Sequence, residues 1–429
     1  MPLFVPPEAF IHFVWRTLRL ELGHLRTTAG ELVEIITPGR LNTDQGPDFL
    51  EAQVRIEGVR WVGAVEMHIH SREWVTHGHH LDPRYNAVIL HVTLYPGTEP
   101  VQRADGTVIP ELGLTGLIPD EVYRRYNQLQ LAETEIPCEA LIGQADPVRI
   151  RAWLDRMTAE RIEQQAAAYT RQLASLRQDW AEGLWQALMG MMGGPINRDG
   201  LEELARRMPY RILQGYLDTP EQTEALLFGA AGWLAGQAPD DPYMQARSAQ
   251  WDYLRHKHQL PAYPPLLLHF HRMRPPAFPT LRIAQMAALL AVFPRLTDLL
   301  YPANWPRLLQ ADIRPTAYWD TRYRPGPAGN SSVKSLGMSQ KEILLTNVLA
   351  PLSALYHQAH GREDAFEAIE AGLTALSPED NRHTRPFVRL GLPNPHAWAS
   401  QGMIQLKKAY CDTRRCLDCG IGHQLLRGK

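Results

Sequence analysis

Residues 46–70 read "GPDFLEAQVRIEGVRWVGAVEMHIH", and the way the two halves of this stretch pair decides the fold of the first third of the chain. "DFLEAQVRI" alternates at period two, with Phe49 opposite in phase to Ala52, Val54 and Ile56, the pattern of a strand with one buried face. Glu57-Gly58 supplies a turn, and "RWVGAVEMHIHS" returns as the partner strand. Opposed residue numbers in an antiparallel pair sum to a constant, about 114 for a turn centred on residue 57. Asp48 then stands opposite Glu66 on one face. His68 and His70 share that face because side chains alternate along a strand. Two opposed carboxylates repel, and a divalent cation between them reverses the sign.

Working outward, "PEAFIHFVWRTLRLELGHLR" (7–26) carries apolar residues at helical spacing, so a first helix is expected there. "ELVEIITPGR" (31–40) is a β-branched run closed by Pro38-Gly39. "NAVILHVTLY" (86–95) is a further, buried strand. From about residue 146 the chain becomes Ala/Gln/Arg/Leu-rich, and one long helix is expected up to Gly193-Gly194-Pro195. More helical segments follow, with a Pro-rich broken stretch over 261–330. The expected organisation is an α/β domain over 1–125, a mainly helical domain over 126–400 and a Cys-rich segment over 401–429.

The composition, 45% hydrophobic and 21% charged with a formal net charge of −2, is that of an ordinary globular chain without a global basic field. No apolar run approaches the ~20 residues of a membrane span. "MPLFVPPEAF" lacks the basic and apolar regions of a secretory signal. Four cysteines in 429 residues are too few for a disulfide scaffold. A cytoplasmic, reducing location without membrane attachment is expected.

Several side-chain groups carry chemistry. Cys411-x4-Cys416-x2-Cys419 is a thiolate triplet, and Cys138 or His423 would complete a ligand set. Four such ligands suit Zn²⁺ or a [4Fe–4S] cluster. Arg414 and Arg415 beside the triplet are expected to lower thiol pKa values. "MHIHSREWVTHGHHLDPRY" holds His68, His70, His77, His79 and His80, with His91 in the next strand. Glu66, His68 and one of the later histidines form a candidate ligand set, although H-E-x-x-H spacing is absent. Trp74 is an expected core contact. Arg84 and Tyr85 would open a helix whose N-terminus and guanidinium favour phosphate. Glu8 offers an extra carboxylate on the first helix, and Asp44 an Asx turn. Residues 270–325 hold eight Arg, among them Arg272, Arg274, Arg322 and Arg324, against three Asp. Tyr318, Trp319 and Tyr323 are interleaved, which suits a nucleic-acid backbone and stacked bases, or equally a solvated face.

The hairpin resembles the PD-(D/E)XK nucleases. Pro47-Asp48 matches "PD", and Glu66-Met67-His68 matches "(D/E)-x-K" with His where Lys is usual. The resemblance implies a restriction-endonuclease-like αβββαβ core within an α+β/α chain. It also implies Mg²⁺ or Mn²⁺ held by Asp48 and Glu66, with His68 in the Lys role and His70 or Glu8 assisting. The upstream Cys138 and C-terminal triplet resemble, in arrangement, the iron–sulfur staple of some RecB-like nucleases. Over nearly the whole chain, "GRLNTDQGPDFLEAQVRI", "WVGAVEMHIHSREWVTHGHHLDPRYNAVILHV", "RMRPPAFPTLRIAQ", "AYWDTRY" and "YCDTRRCLDCGIG" resemble the bacterial family DUF2851. The expectation is a metal-dependent nuclease acting on DNA, with RNA the second choice. The alternatives are an inactive nucleic-acid-binding or scaffold protein with a structural Zn or Fe–S site, and a zinc hydrolase built on the His-rich loop.

Overall fold

The hairpin forms, with a register that changes along it. In the computed structural model β3 (Phe49–Ile56) and β4 (Val59–His70) pair antiparallel, from Ile56↔Val59 to Ala52↔Gly63, then at Phe49↔Val65. Between the last two pairs, two residues of β3 face one of β4, a β-bulge. Glu51, the extra residue, has φ 60°. The turn itself is the two-residue Glu57-Gly58, with φ 47° and 82°, the positive angles of a type I′ hairpin. Its pairs sum to one more than expected. Without the bulge Asp48 would therefore oppose Met67 and share the apolar face. The bulge returns the register to Phe49↔Val65, so that the next position, Asp48, faces Glu66. Phe49, Ala52, Val54 and Ile56 are all buried, and the phase break at Phe49 is the mark of the bulge.

The described residues are 5–234, 241–362 and 365–427. They divide into two units, Met1–Trp153 with Leu406–Lys429, and Leu154–Gln405. The first unit holds a mixed, curled sheet in the order β1 (Val33–Thr37), β3, β4, β5 (Val88–Tyr95), β6 (Glu111–Gly113), with β2 (Arg40–Leu41) also paired to β3. β1, β3 and β4 are antiparallel, whereas β4, β5 and β6 are parallel. The crossover from β4 to β5 carries only the one-turn α2 (Glu73–Thr76) and 3₁₀ turns at His79–Leu81 and Pro83–Ala87. No full helix opens at Arg84 and Tyr85.

The parallel register sets Glu66 beside His91 and His91 beside Glu111. A polar row thus runs from Asp48 across three strands, with Glu66, His91 and Glu111 all buried. His68↔Thr93 forms the next row. The alternate residues Val65, Met67, Leu90, Val92 and Leu112 are apolar and buried. The sheet therefore has one hydrophobic face and one face that is polar where the chemistry-bearing residues lie.

The first helix, α1 (Glu8–Arg16), buries Phe10, Ile11, Phe13, Val14 and Trp15. It is shorter than the expected 7–26. It ends in a Schellman motif, Arg19 N–H to Val14 O at 2.9 Å and Leu18 N–H to Trp15 O at 3.1 Å, with Leu18 at φ 52°. Within the same unit α3 (Asp120–Leu131) packs against the C-terminal helix Gly420–Arg427.

The second unit is mainly helical. The long helix runs only over Pro147–Ser175. It stops in the same motif, Gln178 N–H to Leu173 O at 2.9 Å and Arg177 N–H to Ala174 O at 3.2 Å, with both residues at positive φ. Asp179 then caps Trp180–Arg207 by accepting from Glu182 N–H at 3.0 Å. Gly193-Gly194-Pro195 kinks that second helix rather than ending the first, with Gly194 at φ 59°, ψ −163°. Among the described residues no helix is long and apolar enough to cross a membrane.

Candidate functional site

Asp48 and Glu66 are joined reciprocally through the backbone. Asp48 N–H donates to Glu66 Oε2 at 3.0 Å, and Met67 N–H donates to Asp48 Oδ2 at 2.9 Å. The loop before Asp48 is shaped by Asn42 rather than by Asp44. Asn42 Oδ1 accepts from Asp44 N–H at 3.1 Å, and its amide nitrogen donates to Pro47 O at 3.0 Å. Glu66 turns its other oxygen away from the hairpin, Oε1 lying 3.2 Å from His79 Nε2 and 3.7 Å from His68 Nε2. Burial, above all, pushes the Glu66 carboxyl up, against the pull of His79.

Two ligand-capable groups flank this pair. On one side His68, His77 and His79 place donor atoms within 4.8 Å of one another. Their ring centroids are 5.1 to 5.6 Å apart. His68 Nδ1 is 2.9 Å from His91 Nε2, and His79 stacks on Tyr85 at 3.8 Å. Trp74, fully buried as expected, donates Nε1–H to Gln102 O at 2.9 Å and backs the cluster. Burial and the surrounding imidazoles hold His68 down at about 2, and burial holds His91 at about 3. His68 is therefore a neutral imidazole at any physiological pH, able to accept, donate or ligate but not to supply the positive charge of a Lys.

On the other side Glu8, His12 and Asp48 form the second group. His12 Nε2 stands 3.2 Å from Asp48 Oδ2 and 3.8 Å from Glu8 Oε1. Burial alone would lower the His12 pKa, but Asp48 and Glu8 outweigh it and raise it. Burial, then the Asp48 charge, raises that of Glu8. His12 also lines a cleft of about 260 Å³ together with Arg16, Arg414 and Arg415. Arg16 Nε and Arg414 Nη1 are buried there without a hydrogen-bond partner. His12 is the residue that reading for motifs missed, although Glu8 and His12 are four apart on one helix.

The remaining candidates stand elsewhere. His70 stacks on Tyr95, and its backbone N–H donates to Glu73 Oε2 at 3.0 Å. Arg84 is held by Asp82 and Gln45. Arg322 lies over Tyr318 and bonds Gly326 O and Thr321, whereas Arg272, Arg274 and Arg324 are exposed. Cys411, Cys416 and Cys419 are buried and Cys138 partly so, all as free thiols. They affect one another's ionisation, but among the described residues no three of them come together as a ligand set. Burial first, then the neighbouring thiols, raises Cys138 and Cys416 to about 12 and Cys411 well above its usual value. The expected lowering by Arg414 is real for Cys416 but is outweighed by burial. His423 is committed to Leu417 O and to Arg16 at 3.1 Å.

Fold and site together define an α+β unit with adjoining carboxylate and imidazole groups on the polar face of a mixed sheet, in a chain with a second, helical unit. The chain belongs to the family described as "Protein of unknown function (DUF2851)", which it matches over residues 8–382. No curated protein and no solved structure matches it, and none of these comparisons supports the likeness to PD-(D/E)XK nucleases.

Proposed function

We propose that the protein is a divalent-metal-dependent nuclease, hydrolysing phosphodiester bonds of DNA or RNA at the Asp48–Glu66 junction. The observation that carries this reading is the fixing of two carboxylates from adjoining strands by backbone amides, with Glu8 and His12 beside one and imidazoles beside the other. Asp48, Glu66 and Glu8 would hold Mg²⁺ or Mn²⁺, which supplies charge neutralisation and an activated water. Among the chain's own groups, His12 rather than His68 is placed to carry positive charge next to Asp48. The cleft lined by His12, Arg16, Arg414 and Arg415 suits, by its charge, the adjoining phosphates of a polyanion. In this reading the unit is a divergent restriction-endonuclease-like core, with the His68-for-Lys departure offset by His12.

The test is cleavage of DNA and RNA by purified protein with Mg²⁺ or Mn²⁺. Activity should vanish in Asp48→Ala and Glu66→Ala, and cleavage that persists in both overturns the site. A second reading, a nucleic-acid-binding scaffold without activity, is favoured by one observation: both carboxylates already accept backbone N–H groups and so staple the hairpin whether or not they catalyse. The four cysteines would hold a structural Zn²⁺ or [4Fe–4S] in either reading, once their thiols draw together. Metal analysis and the visible absorption of anaerobically purified protein separate those two.

A further inference from the structure

We propose that His68, His77 and His79, with Oε1 of Glu66, bind a transition-metal ion of the Zn²⁺ class, at a site open to solvent on the His77 side. The site shares Glu66 with the hydrolytic site above but stands on the geometry of the imidazoles about Glu66 Oε1, whether or not that site cleaves. It adds a second, chemically distinct metal position next to the carboxylate one.

Several distances argue for a shared ligand-binding point rather than a packed core. His68 Nε2 is 3.7 Å from Glu66 Oε1, too far for a good hydrogen bond. His79 Nε2 is 3.2 Å from the same oxygen. Ligands about 2.1 Å from a tetrahedral Zn²⁺ lie roughly 3.4 Å apart, between these two values. The third imidazole, His77, brings its donor within 4.8 Å of the other two. Three imidazoles and one carboxylate are the donors of Zn²⁺ and its first-row neighbours, whereas Mg²⁺ takes oxygen ligands.

The surroundings hold the rings as ligands. His91 meets Nδ1 of His68 at 2.9 Å, which leaves Nε2 for a metal, the second-layer support that ligating histidines usually have. Tyr85 stacks on His79 from one side, and Trp74 stands at 5.5 Å. Gly78, at φ 78°, turns the chain between His77 and His79, so that residues two apart reach one point. His68 and His79 are buried and His77 is exposed. Three imidazoles and one carboxylate fill a tetrahedral ion, so the site has the four-protein-ligand pattern of structural zinc, with His77 on its exposed side.

The experiment uses full-length protein stripped with a chelator and titrated with Zn²⁺, then with Co²⁺ as a spectroscopic probe. Wild type should take up Zn²⁺ at this site, and His77→Ala and His79→Ala should each weaken that binding at least ~100-fold. Co²⁺ should give visible d–d bands that His77→Ala and His79→Ala remove and Cys416→Ser does not, any thiolate charge transfer belonging to the separate cysteine set. Circular dichroism checks folding, and His77→Gln serves if the alanine variant fails to fold. Unaltered Zn²⁺ affinity in the histidine variants overturns the site. So does a Co²⁺ spectrum whose d–d bands all disappear in Cys416→Ser. Zn²⁺ uptake without any cleavage defeats the nuclease reading and leaves this site standing, whereas Mg²⁺-dependent cleavage without Zn²⁺ uptake does the reverse.

Discussion

Asp48 can be altered in two ways that separate its structural from its chemical role. Asp48→Ala removes the acceptor of Met67 N–H, a 2.9 Å bond to a carboxylate that is about one-fifth exposed. A hydrogen bond to a charged group contributes ~1.5–3 kcal/mol. Partial exposure favours the lower half of that range, so the loss should be about 2 kcal/mol. Asp48→Asn keeps a neutral acceptor worth ~1 kcal/mol and should lose about half as much. For a unit of this size, each kcal/mol moves a melting temperature by ~2–4 °C. Scanning calorimetry should therefore show the first unit melting ~4–8 °C lower in Asp48→Ala and ~2–4 °C lower in Asp48→Asn. Cleavage should fall at least ~100-fold in both, because neither keeps the negative charge. Equal activity loss with unequal stability loss would separate chemistry from unfolding. An Asp48→Ala variant that melts with wild type would refute the reasoning, since the carboxylate would then not be holding the hairpin.

Three further outcomes follow from particular residues. Glu224, buried in the helical unit, accepts from Trp319 Nε1 at 3.2 Å and from Tyr243, and burial raises its pKa from 4.5 to about 7. A carboxyl raised in the folded state adds stability below its unfolded pKa, and that stability is lost as pH rises through the folded value. Melting temperature should thus decline between about pH 5 and 7 and flatten in Glu224→Gln; parallel curves would remove Glu224 as the cause. Gly422→Ala would bring a Cβ to 2.0 Å from Cys416 O, and overpacking of this kind costs ~1–3 kcal/mol, read as a lower melting temperature with faster Cys416 alkylation. Cys411, Cys416 and Cys419, buried and raised by that burial, should react with a disulfide reagent at neutral pH only as the unit unfolds; immediate reaction of all three would contradict their burial.

The hairpin was legible in the sequence because alternation and Glu57-Gly58 are local signals. Its register was not, because the two-residue turn and the bulge displace the pairing in opposite senses, and only their sum was inferred. The phase break at Phe49 pointed to the bulge but carried no information on where the spare residue would sit. Helix ends were misplaced for one reason: the left-handed residues that close them are Leu18 and Arg177, where glycine is the usual signal. The burial of His68 and His91 depends on the parallel alignment of β4 and β5, a non-local pairing that no window of residues discloses. His12 was within reach of helical spacing from Glu8. The raised thiol pKa values were not legible, because burial of the C-terminal segment, rather than its neighbouring arginines, governs them.

The bulge at Glu51 gives β3 one residue of slack. Two residues there face one on β4, so removing either would leave a regular ladder with Phe49 still opposite Val65 and Asp48 still beside Glu66. At the β4 edge a single-codon deletion, ordinarily ruinous because it turns every preceding side chain over, would be absorbed, whereas the Arg40↔Leu50 and Leu41↔Phe49 pairs with β2 would have to shift. A single-codon insertion finds no such reserve. The strand is thus asymmetric toward length change, and the carboxylate pair is insured against shortening but not against lengthening.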